Sequence, residues 1–440
     1  MRGSAVFRTG VAPGGALAGP WVQNPLWARA RAVPSLDLRF ADNKSLVDAV
    51  TGASLVTFTR ASDGAFVDSA GARQTAATNV PCFDHNPTTG ESLGLLIEEQ
   101  RTNSIRNNTM VGAVAGTPGT LPTNWTSSVG SGILLNVIGT GTESDITYID
   151  AQFVGTSTAS GQVSLRFEGT ATMPASAATV YTGSCYVRTV AGSTANVNNV
   201  IQQLVARNSG GSNIGEQTTS MTSSLSASSI RINRQANTFT TPALTTSIQH
   251  DVRIDFSNAV AINITLRIGL PQLEQGAFVT SPILTSTAAA TRSASLADLI
   301  SSAIANNIRS FYVEFSSPAV GTRGAVSLND NTANERADLL TSGTDPRLVV
   351  HDGGAEQANI NGGTIAAGAR IRIAVRINTN NFAISVNGGA VTTDTSGALP
   401  TVDRLMLGRT QAGEYLNGRI ARFTGWTGLL PDSTLQTLTQ

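Results

Sequence analysis

The sequence predicts an all-β protein, and three observations support that class. Charged residues make up 13% of the 440 residues, about half the share usual in globular proteins. Glycine (43 residues), serine, threonine, asparagine and alanine take their place. Short runs of alternating apolar residues recur between turn signals, which is typical of strands joined by tight connections. A chain of this length is long for one core, so two to three domains are expected.

Residues 1–35 have no clear period and are rich in glycine, alanine and proline. They contain Trp21 and Trp27, and Arg29 follows. Two exposed tryptophans would be a costly apolar surface for a free tail. We therefore expect this arm to be covered, either inside its own oligomer or at a docking site on a larger particle. Docking through these three residues is the favoured hypothesis.

Residues 36–109 are predicted to form a small β-module. Alternating residues begin at Leu36 and again at Val56, and 93–97 is a short apolar strand. Glu98 and Glu99 follow that strand, and a catalytic carboxylate pair is one interpretation. Adjacent strand residues point to opposite faces, however, so these two side chains cannot easily converge. The favoured interpretation is a structural staple, and a charged pair at a strand end is ordinarily solvated and contributes little to stability.

Residues 110–292 are predicted to form a β-sandwich, because short strands recur with glycine, serine and asparagine between them. Pro271 is expected to end the last strand, since proline removes a backbone donor. The stretch 269–292 would then pass from one domain to the next, and 218–229 would be a loop. The predicted strands cover 133–138, 146–154, 161–168, 179–189, 200–207, 229–233, 248–256 and 261–270.

Residues 293–440 form the last predicted domain. Apolar residues in 295–308 have helical spacing, and Ser295 would cap that helix. The remainder alternates as strands around the turn signal at Asn387. A short helix is predicted after Pro431.

Several of these motifs resemble a known family. The series Phe58-x-Arg60, Gly94-Leu-Leu-Ile-Glu-Glu-x-Arg-Thr-Asn103, Leu121-Pro-x-Asn-Trp125 and Pro271-Gln-Leu-Glu-x-Gly-Ala-Phe-x-Thr-Ser-x-Ile-x-Thr285 is similar to bacteriophage head-spike and tail-fibre proteins. The resemblance implies that 110–292 is a jelly roll similar to carbohydrate-binding modules. In the last domain, Asn-Phe-x-Ile-x-Val-Asn-Gly, Leu-x-Leu-Gly and Leu-Asn-Gly-x-Ile-x-x-Phe resemble a laminin-G or concanavalin-A-like sandwich.

The resemblance also implies a function. Such a chain would be a structural protein of the virion surface that projects from the particle and attaches to host surface polysaccharide. Its partners would be other virion proteins, the host glycan and further copies of itself, with a homotrimer as the expected state. The alternatives are a capsid decoration protein that binds no receptor and, less favoured, a polysaccharide depolymerase, whose short-period β-helix repeat is not evident in the sequence.

Composition argues against several other classes. The formal net charge is zero, so the sequence has no electrostatic signature for nucleic acid or anionic membrane. It has no apolar run long enough to span a bilayer. The two cysteines, Cys82 and Cys185, do not form a disulfide framework or a metal-ligand pattern. With three histidines and no nucleophile elbow, we expect no enzyme.

Candidate binding residues follow from the chemistry of sugars and hard cations. An aromatic ring against a pyranose face is the usual sugar platform, and the candidates are Tyr415, Trp426 and Trp125, with Tyr415 the most exposed choice. We expect no resident cofactor. Loop carboxylates suit calcium, so Asp330 and Asp345 are the candidate ligands if a metal binds. A glycosidase pair among the carboxylates of the last domain stays open, because nothing in the sequence selects two of them.

Overall fold

The computed structural model describes residues 25–226 and 228–440. It is almost entirely β, with 48% of residues in strands and 7% in helices, so the predicted all-β class is confirmed. No helix in the described part of the chain is long and apolar enough to cross a membrane. Cys82 and Cys185 are both buried and unpaired, and burial raises the pKa of the Cys82 thiol to about 11.

Short helices and many strands make up the described chain. The helices are α1 (Pro25–Ala30), α2 (Phe40–Asn43), α3 (Ser302–Ala305) and α4 (Asp432–Thr439). The first half contains β1 (Leu36–Leu38), β2 (Thr57–Thr59), β3 (Gly64–Val67), β4 (Arg73–Ala76), β5 (Phe83–His85), β6 (Ser92–Ile97), β7 (Arg101–Asn103), β8 (Thr126–Ser128), β9 (Ile133–Glu143), β10 (Ile146–Thr156), β11 (Gly161–Arg166), β12 (Met173–Pro174), β13 (Val180–Gly192), β14 (Asn199–Arg207) and β15 (Asn213–Ser220).

The second half continues the series. It contains β16 (Arg234–Thr240), β17 (Ser247–Phe256), β18 (Ala261–Gln275), β19 (Ala290–Arg292), β20 (Leu296–Ile300), β21 (Ser310–Ser316), β22 (Arg323–Asn329), β23 (Arg336–Ser342), β24 (Asp345–Asp352), β25 (Ala355–Asn361), β26 (Ile371–Arg376), β27 (Phe382–Val386), β28 (Thr392–Asp394), β29 (Arg404–Leu407) and β30 (Gly418–Trp426).

The chain divides into two compact units. Unit 1 comprises residues 25–58, 93–97 and 296–440, and unit 2 comprises 59–92 and 98–295. The segment predicted as a separate small module, 36–109, therefore contributes to both units. Its apolar strand β6 supplies a short insertion into unit 1, because Leu95 and Ile97 are fully buried and pair with the start of β30.

Unit 1 contains two antiparallel sheets. One runs in the order β28-β27-β26-β21-β30-β6, with β1 also paired to β30, and the other in the order β20-β29-β22-β23-β24-β25. Strand β21 lies inside the first sheet and is buried on both faces, and its alternate residues Phe311, Val313 and Phe315 share one of these faces. The Phe311 and Phe423 rings stack with centroids 5.6 Å apart. Apolar residues of α1 and α4 form a further buried cluster with Trp426.

Unit 2 is a β-sandwich. Its two main sheets run β16-β13-β18-β10-β9 and β15-β14-β17-β11-β8, and β12 also pairs with β17. One hydrophobic core takes residues from both, including Phe153 and Leu266 from the first sheet and Val163, Leu204 and Val252 from the second. Side chains from two facing sheets that interdigitate in this way define a sandwich.

The prediction that Pro271 ends its strand is wrong. Strand β18 continues through it to Gln275, paired with β13 on one side. The register with β13 shifts between Ser184 and Tyr186, opposite the proline, and pairing with β10 stops at Gly269. Pro271 therefore lies at a β-bulge beyond the end of the β10 pairing, where no ladder hydrogen bond from its nitrogen is required.

The helix predicted over 295–308 is also largely wrong. Its first part is strand β20, paired with β29, and only Ser302–Ala305 is helical. Ala297 and Leu299 are buried whereas Ile300 is 68% exposed, which is the period-2 burial of a strand. Pairing with β29 therefore overrides the helical spacing of the apolar residues.

Two predictions near residue 229 are wrong as well. Residues 230–232 form a turn of 3-10 helix, although a strand was expected. Part of the loop predicted over 218–229 belongs to β15, a polar strand at the sheet edge whose side chains are mostly exposed. An edge strand with little burial lacks the apolar alternation on which the prediction relied.

Candidate functional site

The predicted tryptophan platforms are core residues. Trp125 is 5% exposed and Trp426 is 2% exposed. The Trp125 indole donates to the Asn107 carbonyl at 2.7 Å, and the Trp426 indole donates to the Ala32 carbonyl at 3.3 Å. Their burial argues against a sugar platform, because neither offers a ring face to solvent. Tyr415 is half-buried and forms a β-bridge with Arg409.

The predicted calcium ligands do not converge. Asp330 follows β22 and Asp345 begins β24, so they lie near opposite ends of β23. Asp330 accepts hydrogen bonds from Thr332, and Asp345 accepts one from Asn361 at 2.9 Å. Among residues 25–226 and 228–440, no three histidine, cysteine or acidic side chains are placed to hold a metal ion.

The predicted docking residues are partly described. Trp21 lies outside the described residues. The Trp27 indole donates to Asp37 at 3.0 Å, and the Arg39 guanidinium lies over its ring. Arg29 donates to the Gln440 carbonyl at 3.0 Å. Trp27 and Arg29 thus contact unit 1 itself, and docking to a particle stays a prediction.

The motif stretch that was expected to connect two domains is instead a buried polar network of unit 2. Both carboxylate oxygens of Glu98 accept hydrogen bonds from Ser281 at 2.7 Å, and Arg292 lies 3.1 Å from the same carboxylate. Glu274 accepts two hydrogen bonds from Thr280 in the same way. Glu98 is buried, so its carboxylate is not solvated as charged strand ends ordinarily are, and its contacts are those of a structural staple.

A second polar cluster lies on the six-stranded sheet of unit 2, and we call it the Asp251 face. Strand β17 alternates between the core residues Ile248, His250, Val252 and Ile254 and polar residues that point away from the core. Neighbouring strands continue the same pattern. The polar members of the face are Ser164, Arg166, Gln203, Arg207, Glu216, Gln249, Asp251, Arg253 and Asp255.

Strand register brings the centre of this face together. Asp251 on β17 pairs with Arg166 on β11 and with Gln203 on β14. Directly opposed side chains in antiparallel strands lie about 5 Å apart at Cβ, so the three form one row across the sheet. Ile201 and Val205 share the face by register, and both are buried between the polar groups.

Hydrogen bonds fix several of these side chains. Gln249 donates to Asp251 Oδ2 at 2.6 Å, and Arg207 donates to Gln249 Oε1 at 2.8 Å. Gln203 donates to Glu216 at 2.8 Å. These contacts hold several planar side chains of the face in defined orientations, which reduces the entropy lost on binding a ligand.

One atom at the centre has no partner. Asp251 is 2% exposed, and no described residue donates to its Oδ1. Burial raises the pKa of this carboxyl to about 6, although Gln249 and the arginines 166, 253 and 207 favour the charged form. A buried acceptor without a donor costs free energy, and a ligand that donates to Oδ1 would recover it.

His250 does not belong to this site, although it precedes Asp251 in the sequence. Its side chain points into the core, where it contacts the Phe167 ring and hydrogen-bonds Gln202 at 2.9 Å. Burial lowers the pKa of His250 to about 3. The imidazole is therefore neutral at ordinary pH, and it lies on the opposite side of the sheet from Asp251.

Our sequence reasoning missed the Asp251 face. The signal was present in 249–255, where glutamine, aspartate, arginine and aspartate occupy every second position of an otherwise apolar strand. Strands with one core face and one polar face are common. The alternation therefore does not distinguish a binding face from a solvated one until neighbouring strands are placed in register.

Known proteins resemble this chain only weakly. No family model matches the chain, and no curated protein matches it. Several solved structures are similar to part of it. A receptor binding domain has a TM-score of 0.26 and 12% identity, and the match covers 33% of this chain and 39% of that one. The chain thus spans well under half the length of that protein.

Two further structures have comparable scores. Domain 4 of AbnA, a GH43 extracellular arabinanase from Geobacillus stearothermophilus solved with arabinotriose, has a TM-score of 0.28 and 16% identity over 37% of this chain and 82% of that one. Domains LG4-5 of the mouse laminin alpha1 chain have a TM-score of 0.23 and 10% identity over 62% and 84%. Likeness of this size supports no functional inference, so function is argued from the chain's own residues.

Proposed function

We propose that this chain is a surface protein of a phage virion that attaches to host surface polysaccharide, and that the Asp251 face binds the glycan. The virion assignment is supported by the motif resemblance of residues 58–103, 121–125 and 271–285. The glycan assignment depends on one observation, the buried and unpartnered Oδ1 of Asp251 in a row of glutamine and arginine side chains.

The chemistry of the face suits hydroxyl groups. Asp251 Oδ1 is buried in the free chain, so binding requires the neighbouring Arg166 and Gln203 side chains to move aside. A sugar hydroxyl both donates and accepts, so it can then donate to Oδ1 while a neighbouring hydroxyl accepts from Arg166 or Gln203. Each such contact is weak, and many copies on one particle would raise the effective concentration.

We further propose binding without hydrolysis. A glycosidase needs one carboxyl group free to act as an acid and a second free to act as a base or nucleophile. Glu216 accepts a hydrogen bond from Gln203, and Asp255 is paired with Arg253 at 2.9 Å. These contacts occupy both side chains, so neither carboxylate is placed to work with Asp251 as the second group of a catalytic pair.

The direct test is the affinity of the full chain for purified host surface polysaccharide, measured by calorimetry. We expect Asp251→Asn to weaken binding roughly tenfold to a hundredfold, because an acceptor that is a charged carboxylate is lost. Asp394→Asn, at the end of β28 in unit 1, is the matched control and should bind like the wild type. Unchanged affinity in Asp251→Asn would refute the site. Release of oligosaccharides from the polymer would refute binding without hydrolysis.

A further inference from the structure

A polar cavity in unit 2 has no role in the function proposed above. It is open to solvent and has a volume of ≈ 500 Å³, and we call it the Arg101 pocket. It lies at the end of the five-stranded sheet, next to strand β7. Its lining consists of Glu99, Gln100, Arg101, Thr102, Ser104, Pro174, Tyr181, Gln275 and Gly276. The volume falls in the range of small-molecule sites, about 300–1,000 Å³.

Arg101 is held in place on three sides. It forms an ion pair with Glu99, and its guanidinium lies 4.8 Å from the centroid of the Phe278 ring. Gly276 lies against the same guanidinium, and any Cβ at that position would overlap it. The positive φ of Gly276, 130°, also favours glycine. Such fixed placement is characteristic of a preformed recognition group.

The hydrogen-bonding capacity of Arg101 is not fully used. Its side chain is 9% exposed, and its Nε has no hydrogen-bond partner among the described residues. Burial of an unpaired donor costs roughly 1–3 kcal/mol. A ligand acceptor in the cavity would satisfy it.

The rest of the lining restricts the ligand class. Glu99 and Arg101 cancel each other's charge, which disfavours a strongly ionic ligand. Gln100 and Gln275 are exposed and offer both donors and acceptors. Tyr181 and Pro174 supply apolar surface, and the Tyr181 hydroxyl is already fixed by the Ser176 amide at 3.0 Å. Neutral charge, mixed donors and acceptors and one aromatic ring are the features of a saccharide site.

We propose that the Arg101 pocket is a second saccharide site, which takes a neutral sugar unit, whereas the Asp251 face binds along the polymer. This inference extends the proposed function and rests on it for the ligand class. The two sites use different surfaces of unit 2, because Tyr181 and Gln275 belong to β13 and β18, whereas Asp251 belongs to β17. Two sites on one chain would strengthen attachment by linking two binding events.

The test is saturation-transfer difference NMR on the full chain. The probe is an equimolar mixture of methyl β-D-glucopyranoside, methyl β-D-galactopyranoside and methyl α-D-mannopyranoside. We expect saturation of at least one glycoside, a loss of threefold or more in Gln275→Ala, and no loss in Gln217→Ala. Both glutamines are exposed, so both variants should fold, and a thermal melt verifies this.

The outcomes separate the two proposals. Signal that survives Asp251→Asn but falls in Gln275→Ala supports the pocket, whatever the polymer affinity of Asp251→Asn. An absent signal, or an equal signal in wild type and Gln275→Ala, overturns the pocket while the Asp251 face still stands or falls on its own calorimetry. Glu99→Gln provides a second variant, and we expect it to lower the same signal because it releases Arg101.

Discussion

At the residue scale, several charged side chains of this chain are buried. Burial of a charge lowers stability unless hydrogen bonds or an opposite charge compensate for the lost solvation. Glu98 and Arg292 satisfy each other and Ser281 inside unit 2. Asp251 is different, because one carboxylate oxygen has no donor. Side chains whose burial lowers the stability of the folded chain are common at binding sites, because a bound ligand can offset that loss.

The Asp251 carboxyl should therefore oppose folding at high pH. Its pKa is about 6 in the folded chain and near 3.8 when unfolded, so the folded state binds more protons between these values. The penalty is absent below about pH 4 and complete above about pH 6. We expect Asp251→Asn to be more stable than wild type by roughly 1–3 kcal/mol at pH 8 and equal to it at pH 4.

Denaturant unfolding at the two pH values measures this difference. Asp394→Asn again serves as the control, since that side chain lies at the end of β28 and is only partly buried. A wild type more stable than Asp251→Asn at pH 8 would contradict a desolvated, unpaired carboxylate at this position.

At the element scale, pairing between strands decides several segments against their local pattern. Residues 296–300 have the apolar spacing of a helix, yet they pair with β29 and bury only alternate side chains. Strand β18 passes through Pro271 because a bulge and the end of the β10 pairing remove the need for a donor there. Register of this kind depends on residues more than a hundred positions away.

Strand β20 gives a direct test of this point. We expect Leu299→Ala to lower the free energy of unfolding by about 2–5 kcal/mol, because it leaves a cavity in the core. Ile300→Ala should change it by less than about 0.5 kcal/mol, since that side chain is exposed. Chemical denaturation of both variants checks the pair. Similar losses at the two positions would indicate an amphipathic helix instead of a strand.

At the scale of the whole molecule, the sequence is sufficient for the fold class and for most strands of the sandwich. Alternation of apolar residues located 146–154, 200–207 and 248–256 close to the observed bounds. It did not show that 93–97 belongs to unit 1 while its neighbours belong to unit 2, because that depends on pairing with β30. The chemistry of sugar binding put Trp125 and Trp426 among the candidate platforms, whereas the fold buries both in its core.

The candidate site was harder to predict than the fold for the same reason. Asp251, Arg166 and Gln203 are far apart in the sequence, and only antiparallel register places them in one row. The recognisable motifs led instead to Glu98, Glu274 and Arg292, which stabilise unit 2 from inside. These motifs therefore mark a structural network, whereas the proposed binding face becomes evident only once the strands are placed in register.

Adsorption of the full chain to whole host cells, with and without their surface polysaccharide, tests the central claim most directly. The account predicts polysaccharide-dependent adsorption that Asp251→Asn reduces about tenfold or more and Asp394→Asn leaves unchanged. Equal adsorption by wild type and Asp251→Asn, or adsorption that does not depend on the polysaccharide, would contradict attachment through this face.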